Sequence, residues 1–110
     1  MGVSIDIQAG SAEEFAILES EGAPTAHYTY GNWQRVLEAF GIENEVDYEC
    51  GSADPELFLD HAMYALRAAF EAEQEYLPGE GWVNLMKHRI EQVLLIAEAA
   101  DKLDRNVSWG

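Results

Sequence analysis

Apolar and polar residues alternate at the start of the chain, where Val3, Ile5 and Ile7 are spaced by Ser4 and Asp6 and followed by Gln8. A period of two sends successive side chains to opposite faces, so Val3–Gln8 is predicted to be a strand that Gly10 ends. Ser11-Ala-Glu-Glu14 has the spacing of a capping box and predicts a helix over Ala12–Ser20, with Phe15 and Leu18 facing inward. After the Gly22–Pro24 loop, the aromatic run Ala26–Tyr30 predicts a second strand. Asn32 is then the expected N-cap of a helix whose inward stripe is Trp33, Val36, Leu37 and Phe40, closed by Gly41.

The alternation returns in Ile42–Cys50, now with charge. As a strand it would place Glu43, Glu45, Asp47 and Glu49 on one face and Ile42, Asn44, Val46, Tyr48 and Cys50 on the other. The alternative is an exposed acidic loop. Asp54-Pro55 is an N-cap and N1 pair, and predicts a helix to about Tyr76 buried along Phe58, Leu59, Ala62, Leu66, Ala69, Phe70 and Leu77. Pro78–Gly81 stops it. A last helix is expected over Trp82–Leu103, with Val83, Met86, Ile90, Val93, Leu94 and Ala97 inward and Leu95 and Ile96 widening that face. Arg105–Trp109 reads as a terminal strand able to pair beside the first. Together these elements predict one α+β domain over residues 1–110. Its small, mostly antiparallel sheet of three or four strands carries two long helices and one or two short ones on one face.

Charge narrows the choice of partners. The chain has 110 residues, 21 acids, six Lys and Arg, and a formal charge of −15. At 48% hydrophobic it is too apolar for a disordered polyanion, so the charge belongs to the surface of a folded domain. Such a surface repels DNA, RNA and anionic membrane, and attracts basic partners. The excess is uneven: residues 1–66 hold 13 acids against one base, and residues 67–110 hold eight against five. Solubility alone does not require that split. The single cysteine, Cys50, rules out an internal disulfide and fits a reducing compartment. With no leader pattern at its start and no apolar run of membrane length, the chain is expected to be cytoplasmic.

Catalytic and metal signatures are weak. Glu43-x-Glu45-x-Asp47 has the first ligand spacing of a calcium loop, but Tyr48 stands where that loop needs glycine and Asp54 where it needs glutamate. His27, His61 and His88 fall in no zinc motif. Acids beside Cys50 disfavour its thiolate, which is expected on the inward face with Val46 and Tyr48. No catalytic residue, cofactor or metal is therefore expected.

The acids carry the functional expectation. Glu56 and Asp60 are a like-charge pair four apart on the same predicted helix, an arrangement that opposes helix formation. The expected activity is non-enzymatic binding of a basic protein, as an inhibitor or antitoxin-like domain that covers a nucleic-acid-binding surface such as that of a nuclease. The partner-binding residues would be Glu43, Glu45, Asp47, Tyr48, Glu49, Asp54, Glu56 and Asp60. Tyr48 would contribute only if its strand lies at an edge. Same-face positions on a strand repeat every ~6.7 Å, against ~3.4 Å for phosphates along one DNA strand. Mimicry of nucleic acid would thus need the Glu56/Asp60 face beside the strand. Two other classes compete: an enzyme or small-ligand domain with a cleft between sheet and helices, in which a histidine meets carboxylates, and a structural subunit whose acidity only solubilises. The oligomeric state is open.

Overall fold

The computed structural model describes residues 2–74 and 85–110. Strand β1 (Gly2–Ile7) buries Val3, Ile5 and Ile7 and turns the residues between them away from the core, as its alternation requires. It pairs antiparallel with β2 (Ala26–Thr29) on one side and with β4 (Val107–Trp109) on the other. A short strand β3 (Gly51–Ala53) pairs antiparallel with β4, giving the order β2-β1-β4-β3. The two chain ends thus form the centre of the sheet, and β2 and β3 are its edges.

The predicted strand over Ile42–Cys50 is absent, and that expectation is corrected: the segment is a run of turns leading into β3. Its backbone groups find partners close in sequence rather than in a ladder. The Ile42 N–H donates to the Leu37 carbonyl at 3.1 Å, Glu45 donates to Ile42 at 2.9 Å, and the Glu49 N–H donates to the Asp47 carboxylate at 2.8 Å. Short polar side chains offer such bonds readily, and a strand would have lined four carboxylates along one face.

Helix α1 (Ala12–Ser20) has the expected cap, with Ser11 Oγ accepting from the Glu14 N–H at 3.1 Å. The Glu14 carboxylate reaches back to the N–H of Gly10 and also meets Arg105 at 2.7 Å. Phe15 is not inward: it is 48% exposed, and no residue of α1 is fully buried. The helix borders a cleft with Ser4 and Asp6, on the side of β1 away from the core.

Helix α2 (Tyr30–Phe40) starts two residues before the expected Asn32 cap. Thr29 caps it instead, its hydroxyl accepting from the Asn32 N–H at 3.2 Å, so β2 runs directly into the helix. Trp33, Val36, Leu37 and Phe40 are buried as their spacing predicts. Gly41 ends the helix at φ 76°, a conformation costly for any other L-residue.

The next predicted helix is two: α3 (Pro55–Leu59) and α4 (Ala62–Gln74). Asp54 and Pro55 start α3 as expected, with Asp54 accepting from the Glu56 N–H at 2.9 Å. The break falls at Asp60–His61, so the apolar stripe expected of one continuous helix is not kept. Ala65 and Ala69 are buried, Leu59, Ala62 and Leu66 only partly, and Phe70, expected inside, is 59% exposed. The expected stripe residue Leu77, the helix end near Tyr76, the Pro78–Gly81 stop and the Trp82–Val83 start lie outside the described residues.

Helix α5 (Leu85–Lys102) buries Ile90, Val93, Ile96, Ala97 and Ala100. Met86 and Leu94 are partly buried, and Leu95 is exposed. α5 packs on β1, β4 and α3, while α2 lies against β1, β2 and α4. Between them is an aromatic cluster: Trp33 lies 5.6 Å from Trp109 and 6.4 Å from Phe58, and Phe58 meets Phe40 edge-on at 5.4 Å.

Candidate functional site: the acidic edge of the sheet

Glu43, Glu45, Asp47 and Glu49 stand on the 41–50 turns, Asp54 at the start of α3, Glu56 in its first turn and Asp60 at its end. All seven are exposed. β3 interrupts this series at the sheet edge, pairing with β4 on one side and with no strand among the described residues on the other. The sequence-predicted acids thus flank the edge strand β3 in the chain, on the turns before it and on α3 after it, rather than lying on a strand of their own. The ~6.7 Å same-face spacing of a strand does not apply to them.

Ion pairing does not neutralise this edge. Among the described residues the ion pairs are Glu14–Arg105 and Lys87–Glu91, and none of the seven acids belongs to either. Two of the seven have structural duties as well. Asp47 accepts the Glu49 N–H, and Asp54 accepts the Glu56 N–H. Glu56 also sits where a negative charge favours a helix N-terminus. The carboxylates of Glu43, Glu45, Glu49, Glu56 and Asp60 form no hydrogen bond among the described residues and remain available.

The backbone beneath the charges is held. The Trp109 indole N–H donates to the Asp47 carbonyl at 2.7 Å. Gly51 admits the same ring closely, since a Cβ there would lie 2.9 Å from Trp109 Cζ2. Ile42, fully buried, anchors the start of the turns.

Tyr48 is half-buried and meets Tyr30 edge-on, with ring centroids 6.1 Å apart. It flanks the edge strand without belonging to it. Cys50 is corrected to the outside: it is exposed, next to β3.

The histidines separate. His61 Nδ1 donates to the Leu57 carbonyl at 2.7 Å, closing the end of α3, which is a structural role. His27 and His88, far apart in sequence, border one cleft at the opposite edge of the sheet, with Arg89 rather than with carboxylates. Sequence reasoning missed that convergence because no spacing motif links β2 to α5. Among the described residues no three His, Cys, Asp or Glu gather as a metal site, and no helix is long and apolar enough to cross a membrane.

No family model matches this chain, and no curated protein or solved structure matches it.

Proposed function

We propose that this chain is a non-enzymatic binding domain whose acidic sheet edge docks on a basic surface of a protein partner, as an inhibitor covering a nucleic-acid-binding groove would. One observation carries the reading: seven exposed acids flank the edge strand β3 in the chain, with no cation paired to them among the described residues. Unpaired surface charge of one sign steers association and selects partners of the opposite sign. The Trp109 and Asp54 hydrogen bonds support it further, because a backbone already ordered loses less entropy on docking. Tyr48 and its neighbour Tyr30 supply an aromatic border suited to a protein contact.

Capture from the native host lysate at low salt, followed by elution at about 0.5 M salt, where the Debye length falls to about 4–5 Å, tests the reading. A discrete basic protein released by salt supports it. The control is a variant with Glu43→Gln, Glu45→Gln, Asp47→Asn and Glu49→Gln. Asn at position 47 retains a carbonyl able to accept the Glu49 N–H. This variant should fold as well as the parent and bind the captured protein more slowly, most of all at low salt. Unchanged binding would reduce the acids to solubility charge.

A further inference from the structure

The cleft at the β2 edge inverts the charge of the molecule. It has a volume of about 510 Å³ and takes its walls from β2, the start of α2 and the first turns of α5. His27, His88 and Arg89 line it, together with the amides of Asn32 and Gln92. The chain has 21 acids, yet none is among the described residues that line this cleft. Arg89 is half-buried and belongs to no ion pair among the described residues. A partly buried guanidinium with no carboxylate on it among the described residues keeps its forked donors free for an incoming anion.

Two of the groups around Arg89, His27 and Gln92, are held by hydrogen bonds. The His27 ring lies over Gly2, where a Cβ would come within 2.6 Å of Nε2, and its Nδ1 is 3.0 Å from Ser4 Oγ. Only glycine allows that approach. The Tyr28 hydroxyl lies 2.6 Å from Gln92 Oε1 and 3.2 Å from the Arg89 carbonyl. Both are acceptors, so the hydroxyl donates to them. Burial pushes the Tyr28 pKa up to about 12, with Arg89 opposing, so the phenol keeps its proton. Because Gln92 accepts through its oxygen, its NH₂ group is left to donate.

We infer that this cleft binds a small organic molecule through an oxyanion group, phosphate or carboxylate, with the Arg89 guanidinium as the forked donor and His27, His88, Asn32 and Gln92 around it. The volume lies within the range of small-molecule sites, roughly 300–1,000 Å³, and exceeds the needs of an inorganic ion. The organic part would rest against Leu85 and the imidazole faces. The inference is independent of the acidic edge, which lies across the sheet.

Amide NMR titration of the full chain with inorganic phosphate, and separately with acetate, tests it, with sodium chloride at matched ionic strength as the control. The expected result is saturable shifts at Thr29, Asn32, His88 and Arg89 for at least one oxyanion, beyond those with chloride. The stronger of the two identifies the group recognised. Arg89→Gln should weaken that binding about tenfold or more, the loss of a charge-assisted hydrogen bond. Arg89→Lys should restore part of it, because the charge returns without the fork. The thermal midpoint of each variant shows whether it folds, and exposed His88→Gln serves if Arg89→Gln does not. Shifts equal to those with chloride, shifts centred elsewhere, or unchanged affinity in both Arg89→Gln and His88→Gln would overturn the inference.

Discussion

Trp109 joins the core to the acidic surface through a single hydrogen bond, its indole N–H to the Asp47 main-chain carbonyl at 2.7 Å. The ring is buried among Trp33 and Phe58, while the carbonyl belongs to the turn that carries the charges. Trp109→Phe should therefore do two things. It should cost about 1–2 kcal/mol, from the lost hydrogen bond and the smaller ring. It should also speed amide exchange over residues 42–50 more than over α5. Urea denaturation and hydrogen exchange measure the two effects, and equal acceleration everywhere would show that the bond does not hold the turn.

The Trp33 indole behaves differently. Its N–H is buried with no hydrogen-bond partner among the described residues. Leaving such a donor unsatisfied costs about 1–3 kcal/mol, which Trp33→Phe would recover while losing part of the ring. Its net destabilisation should be smaller than that of Trp109→Phe in the same urea experiment, although Trp33 is the more deeply buried of the two.

Asp54 closes the first turn of α3 by accepting the Glu56 N–H. Asp54→Ala should cost about 1 kcal/mol, the usual value of an N-cap. Asp54→Asn should recover most of this, because the amide oxygen can take the same bond. A loss in Asp54→Asn as large as in Asp54→Ala would mean that the carboxylate charge, not the cap, is what α3 uses. Chemical denaturation of the two variants decides it.

Gly41 sits at φ 76° with the Tyr64 ring beside it, 3.0 Å from where a Cβ would be. Gly41→Ala meets both constraints and should destabilise by about 1–2 kcal/mol. The Tyr64 resonances should shift as its exposed ring moves aside.

Tyr28 gives the alkaline limb of stability a defined origin. Its folded pKa, raised to about 12 by burial, stands above the ordinary value of 10.0. Between these values the unfolded chain loses the phenolic proton while the folded chain keeps it. The contribution is thus fully present below pH 10 and is lost as pH rises towards 12. Urea midpoints across that window should fall less steeply for Tyr28→Phe than for the parent. Parallel curves would assign the alkaline loss to other groups.

The sequence made much of the scaffold legible where one local rule acted alone. The alternation of Val3, Ile5 and Ile7, the stripe from Trp33 to Phe40, the Asp54–Pro55 start and the return of Val107 and Trp109 beside the first strand all appear in the fold. Errors arose where two rules competed. Alternation over Ile42–Cys50 suggested a strand, but Asp47 could satisfy a neighbouring N–H and the backbone turned instead. Thr29 and Asn32 could both cap α2, and the nearer hydroxyl started it. The apolar pattern over residues 55–70 was continuous, yet His61 bonded to the Leu57 carbonyl and ended the first helix, which left Phe70 outside. The acids of the edge were legible as a cluster in sequence. The cleft was not, because it joins residues more than 60 positions apart, as the Tyr28–Gln92 bond does.

The strand order has a consequence for motion in solution. With seven acids flanking β3 in the chain and the His27–Arg89 group at the β2 edge, the two edge strands carry neighbours of opposite charge. These two groups contribute a dipole component across the sheet, on top of the net charge. The field of a positively charged surface exerts a torque on that component, in the sense that turns the β3 side towards the surface and the cleft away from it.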